Sequence, residues 1–220
     1  MNTLFITEVG SRMWSMNTLS SDHDLVEIYQ CPTKRILRGE SVPNTRPMKQ
    51  YLGSDSIPVD YQAMEIGHLI NLLIKGNINA IWAVTSPKKW YTAPLYTHDR
   101  TTVHDELITL VIRNLSKKSY MSIYGMAESQ YRDSVKRADV RDPLKSKLTA
   151  LRTLLFGIRM LEYGTLDFTV GKDLVLKSDD QVTHAFMRLK QAHANSRLHD
   201  EPHEDVFREF LYDVRTNVKW

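Results

Sequence analysis

The residues of this chain with chemistry in them are Gly10-Ser11-Arg12 and, eleven positions after Ser11, Asp22-His23-Asp24. A Gly-Ser turn can aim backbone N–H groups at a phosphate, and the serine hydroxyl adds a donor. Side chains two apart in a strand point the same way, so Asp22 and Asp24 present both carboxylates on one face and His23 points to the other. Two carboxylates this close repel, and a divalent cation between them removes the repulsion. Carboxylate and phosphate oxygens suit Mg2+ or Mn2+. A phosphate cradle beside a metal-binding acidic pair is the equipment of nucleotidyl transfer. An Asp-x-Asp by itself also fits a Ser-rich turn shaped by Ser20, Ser21 and Asp22.

The elements that must position these groups are legible nearby. Leu4, Phe5, Ile6 and Val9 form a short apolar run that reads as a buried strand, closed by the Gly10-Ser11 turn. Residues 30–56 carry Pro32, Pro43, Pro47, Gly39 and Gly53 among polar residues and read as a long insertion between strands. From Ala63 to Lys75, Ile66, Leu69, Ile70 and Leu73 recur at helical spacing, and Gly76 follows as a left-handed cap. A longer helix starts at Asp142-Pro143, runs through Leu144, Leu148, Leu151, Leu155, Ile158 and Leu161, and stops at Gly164. Two further helices are expected over Gln181 to Arg197 and Glu204 to Val214.

The stretch GSRMWSMNTLSSDHDL resembles the DNA polymerase beta-like nucleotidyltransferase superfamily, whose minimal members read Gly-Ser-Arg-Ala-x-Gly, a spacer, then Ser-Asp-x-Asp. That superfamily takes a third carboxylate from a neighbouring strand, and the resemblance places it at Asp60 within Ile57-Pro58-Val59-Asp60-Tyr61-Gln62; Glu65 and Asp55 are the next candidates. LLIKGNINAIWAVTSP (Leu72 to Pro87), SKKSYMSIYGMAESQ (Ser116 to Gln130) and KLTALRTLLFGIRMLEYGTL (Lys147 to Leu166) are similar to one subgroup, the predicted nucleotidyltransferases associated with RNA ligases and RNA repair. Three positions depart from these patterns: Ser15 replaces the second Gly of the first motif, Ile78 a Pro and Trp82 a Glu. The resemblance implies metal-dependent transfer of a nucleoside monophosphate from a nucleoside triphosphate to a hydroxyl, most plausibly of an RNA 3′ end. Asp22, Asp24 and Asp60 would be the catalytic metal ligands, and Gly10 and Ser11 the phosphate cradle. A protein hydroxyl as acceptor, or a non-catalytic nucleotide- or RNA-binding module, are the alternatives.

Other polar residues have two readings each. Arg12 is either a triphosphate contact or a solvated side chain at the start of a helix. Glu65 is read as a helix N-terminal charge rather than a catalytic group. Lys145, Arg152 and Arg159 are seven apart and so share a helix side, which is a solvated face or a phosphate track. Lys147 and Arg152 fall in the segment matching the subgroup, which adds weight to a phosphate role. Lys117 and Lys118 also lie in a matched segment and serve either a nucleotide or a helix end. Trp14, Trp82, Trp90 and Tyr91 belong to the core or stack a base. His199 and His203 flank Pro202 and do not make a zinc pattern, and Cys31 stands alone with no base at motif spacing.

Composition sets the class and little more. The chain has 220 residues, 42% hydrophobic and 25% charged, with a formal net charge of +3, enough for a good core and compatible with a polyanionic partner without demanding one. One cysteine excludes a disulfide framework and suits a reducing compartment. No apolar run approaches the ~20 residues that span a bilayer, and no secretory leader is legible, so the protein is read as cytoplasmic with no membrane partner. The expected architecture is α/β (α+β): a mixed sheet with flanking helices over residues 1–95 as the catalytic core, then a mainly helical nucleotide- or substrate-binding lobe over 96–220.

Overall fold

A computed structural model describes residues 2–52, 57–92, 102–136 and 142–217. Among these residues, five strands form one sheet in the order β3-β4-β2-β1-β5. They are β1 (Asn2–Glu8), β2 (His23–Gln30), β3 (Thr45–Leu52), β4 (Pro58–Glu65) and β5 (Lys89–Thr92). Strand β2 is central and is buried continuously from Leu25 to Gln30, which is what covering on both faces produces. It runs antiparallel to β1 and parallel to β4. Parallel neighbours need a crossover, and here it comprises the short helix α2 (Thr33–Leu37) and β3, which turns back antiparallel to β4. The β2/β4 register sets Asp24 directly beside Asp60.

One helical turn, α1 (Gly10–Met13), stands where the sequence suggests a turn. Helix α3 (Ile66–Ile74) begins directly after β4, three residues later than the periodicity suggests, because Ala63, Met64 and Glu65 are still in the strand. Its buried Ile66, Leu69, Ile70 and Leu73 match the helical stripe. Glu65 is its N-cap and accepts from the Gly67 N–H (2.6 Å). The Arg215 guanidinium, on α9 (Glu204–Asn217), donates to both Glu65 oxygens at 3.0 and 3.1 Å. Glu65 is therefore a structural tether, in keeping with its reading as a helix-start charge.

By packing, the chain separates into two units: Met1–Lys75 with Asn79–Arg113 and His203–Trp220, and Gly76–Ile78 with Asn114–Pro202. This division differs from a cut at residue 95. Helices α4 (Ile78–Thr85), all but its first residue, and α5 (Val103–Arg113) pack with the sheet, as does α9, which buries Phe207, Phe210 and Val214. The second unit is helical, with α6 (Ser119–Lys136), α7 (Pro143–Tyr163), a 3-10 turn (Phe168–Gly171) and α8 (Asp180–Asn195). Asp142 caps α7 by accepting from the Leu144 and Lys145 N–H groups, and Gly164 ends it at φ 66°. The apolar stripe is wider than a single face: Ala150, Leu154, Phe156 and Met160 are buried as well, whereas Leu144 is exposed. Helix α7 is packed between α6 and α8, so two sides of it are covered. At Gly157 a Cβ would lie 2.6 Å from Ile123 and 2.9 Å from Leu189, so only glycine lets both helices approach this closely.

Candidate active site

Asp22, Asp24 and Asp60 converge: one carboxylate oxygen from each lies within 4.8 Å of the others, and all three side chains are half-buried. Two features of the sheet bring this about. Asp22 lies one residue before β2 begins, two positions from Asp24, and the parallel register sets Asp60 beside Asp24 on the next strand. Three hard oxygen donors at this spacing fit a hard divalent cation. Glu65 is taken up as a helix cap, and Asp55 lies outside the described residues.

The loop before β2 is built around that cluster. Gly10 has φ +66°, and a Cβ there would sit 1.7 Å from Asp24 Oδ2. The Asp24 carboxylate thus rests on the bare Cα of Gly10, which brings the Gly10-Ser11 segment against the carboxylates. The Val9 N–H donates to the Asp24 carbonyl (2.8 Å), closing β1 onto β2 at the same point. Arg12 is neither a solvated side chain nor turned outward. Its Nε donates to the Asp22 carbonyl (3.1 Å), its Nη2 donates to the Ser21 carbonyl (2.7 Å), and Nε stands 3.7 Å from Glu8 Oε1.

His23 points away from the carboxylates, as strand alternation requires. Its Nδ1 meets Glu8 Oε1 at 2.5 Å and its ring abuts Trp90 edge-on at 5.2 Å. Glu8 is 6% exposed, and sequence reasoning passed over it. The signal was there, since Glu8 is the only charged residue in β1. Trp14 and Trp82 are buried and pack edge to face, so they belong to the core, while Trp90 and Tyr91 stay half-exposed on β5. Cys31 is buried in the core.

The basic residues of the second unit are placed differently. Lys117 pairs with Asp200 at 2.7 Å and holds that carboxyl below its usual range, chiefly through the hydrogen bond. Lys118 pairs with Glu201. Lys147 donates to both oxygens of Asp179, 2.8 Å each, just before α8. Arg159 is exposed and pairs with Asp167. Arg152 departs from the expected row. It is buried, and burial pushes its guanidinium down to about 9. Lys145, Arg152 and Arg159 share a helix side to within the small drift of a seven-residue spacing, and what buries only the middle one is its place along α7, where α6 and α8 cover the helix.

The family model described as the RNA repair pathway DNA polymerase beta family matches residues 1–216. The chain belongs to that family. It is thereby of the DNA polymerase beta nucleotidyltransferase type, in keeping with its mixed sheet and acidic cluster. Among solved structures it is similar to a nucleotidyltransferase-like protein from Exiguobacterium sibiricum 255-15, at 14% identity over 99% of this chain and 82% of that one, with a TM-score of 0.35. Comparison with curated proteins gives no match. Among the described residues no helix is long and apolar enough to cross a membrane. Ser15, where the family pattern has Gly, lies at φ +55°, the left-handed region that glycine enters without strain. Trp82, where a Glu is usual, is core, and Ile78 is buried with its N–H on the Ser122 hydroxyl at 3.0 Å.

Proposed function

We propose that this protein is a metal-dependent nucleotidyltransferase that moves a nucleoside monophosphate from a nucleoside triphosphate to the 3′ hydroxyl of an RNA. The observation that carries this reading is the convergence of Asp22, Asp24 and Asp60 within 4.8 Å against the Gly10 backbone. Asp22 and Asp24 would hold two Mg2+ or Mn2+ ions, and Asp60 would join them on the acceptor side. When bound, the ions would supply Lewis acidity at the acceptor hydroxyl and at the leaving pyrophosphate.

The chain's own residues then do the following. Gly10 and Ser11 offer N–H groups and a hydroxyl to the β and γ phosphates. Asp60 takes the proton of the acceptor hydroxyl as that oxygen bonds to the α phosphorus. The bond from that phosphorus to the bridging oxygen breaks, and pyrophosphate leaves. Lys117 and Lys147 are candidate phosphate contacts in which a phosphate would replace the present carboxylate partner. Arg152 we assign to the interior of the helical unit. The buried lone thiol of Cys31 accords with a reducing compartment, and we read the protein as cytoplasmic.

The test is incubation of pure protein with each α-labelled nucleoside triphosphate, Mg2+ or Mn2+, and RNAs with free or blocked 3′ ends beside lysate proteins. Label should pass to free RNA 3′ ends. Asp60→Ala should keep triphosphate binding and lose transfer by ~10²–10⁴. Label on proteins would instead identify a protein acceptor, and triphosphate binding without transfer to anything would leave a binding module.

A further inference from the structure

Asp24 and Asp60 are held by the sheet itself, as direct partners across β2 and β4, but Asp22 lies one residue before β2 begins. No strand ladder fixes its backbone. What holds it is the Arg12 guanidinium, which donates to the carbonyls of both Asp22 and Ser21. Arg12 in turn stands 3.7 Å from Glu8 Oε1, and the same oxygen meets His23 Nδ1 at 2.5 Å. Glu8 is itself locked into β1: its carbonyl accepts from the buried Ser86 hydroxyl at 2.5 Å and its N–H donates to the Lys88 carbonyl at 2.9 Å. A buried carboxylate thus grips both sides of Asp22, through Arg12 on the Ser21 and Asp22 carbonyls and through His23 on the following residue.

We propose that Glu8 and Arg12 are positioning residues for the metal centre, a strut that substitutes for the missing ladder and sets Asp22 against Asp24 and Asp60. The inference rests on the metal-dependent reading above. Arg12 serves here through its forked geometry, because two carbonyls must be met from one planar group; a lysine ammonium keeps the charge but offers a single point. A residue behind a metal ligand that fixes its orientation typically changes affinity by ~10–100-fold when altered. A triphosphate contact behaves otherwise, since it has no bearing on metal bound without nucleotide.

The experiment is Mn2+ titration of the nucleotide-free protein, followed by the electron paramagnetic resonance of free Mn2+, for wild type, Asp22→Asn, Arg12→Lys and Glu8→Gln, with circular dichroism confirming the fold. Arg12→Lys should weaken Mn2+ binding about tenfold or more, toward the Asp22→Asn level, and Glu8→Gln should shift it the same way. In turnover, kcat should fall in both while the KM for triphosphate changes little. If Asp22→Asn loses Mn2+ but Arg12→Lys and Glu8→Gln bind it as wild type does, the strut is overturned and the metal reading stands. If wild type binds no Mn2+, or Asp22→Asn binds it unchanged, both fall. An Arg12→Lys effect confined to the KM for triphosphate would make Arg12 a phosphate ligand. Should Arg12→Lys fail to fold, Glu8→Gln decides alone.

Discussion

The acidic cluster of the sheet unit and the basic residues of the helical unit are built in opposite ways. In the first, three carboxylates, from β2, β4 and the residue just before β2, are gathered within 4.8 Å of one another. In the second, Lys117, Lys118, Lys147 and Arg159 each meet an acid of their own, and Arg152 is withdrawn into the interior. Gathered like charges cost stability and imply a ligand that cancels them; charges cancelled one by one describe a surface that is already satisfied. The contrast separates a site from a distribution of charge, and six variants probe it.

Asp24→Asn should have the largest effect. Turnover with Mn2+ and labelled triphosphate should fall by ~10²–10⁴, while the melting temperature stays level or rises because a repelling charge is gone. A fully active variant would remove the cluster from the chemistry. Arg152→Ala should do the reverse, lowering stability in urea by about 2–4 kcal/mol through lost buried volume. Arg152→Met should restore more than half of that. Intact stability with weakened RNA binding would instead make Arg152 a ligand.

Lys117→Ala and Lys147→Ala should each cost under about 1 kcal/mol, since their pairs are partly solvated. If they contact single-stranded RNA as proposed, each should flatten the slope of log affinity against log salt by roughly 0.7. An unchanged slope would return both to the satisfied surface. The smallest effect is expected at Ser15→Gly, where relief of the left-handed backbone should outweigh glycine's entropy cost and raise stability by about 0.5 kcal/mol in thermal denaturation. A drop there would mean that the Ser15 side chain makes a contact worth more than the strain.

What could be read in the residues was local. Asp142-Pro143 and Gly164 delimit α7 because capping and helix termination are settled within a few residues, and the structure has both ends where the sequence places them. Ile66, Leu69, Ile70 and Leu73 mark the buried face of α3 for the same reason. Gly10 beside Asp24 was legible only as a motif. That a Cβ at Gly10 would strike Asp24 Oδ2 is a property of two segments folded together.

The sequence by itself determined the ends of α7, the buried face of α3, the close spacing of Asp22 and Asp24, and membership in a family that supplied Asp60 by resemblance; residues 30–56 read as an insertion, and folding makes α2 and β3 there. Tertiary structure alone decided what depends on chain segments far apart. The parallel register of β2 and β4 put Asp60 beside Asp24, and backbone hydrogen bonding carries no residue code from which that register could be read. The return of α9 to the sheet unit buries Phe207, Phe210 and Val214 and brings Arg215 to Glu65 across 150 positions. The burial of Arg152 followed from helices covering both sides of α7, which no periodicity within α7 can report. Glu8 shows the same limit at its sharpest: a charged residue ending an apolar strand reads as a strand end, until folding brings His23 and Arg12 to the same oxygen.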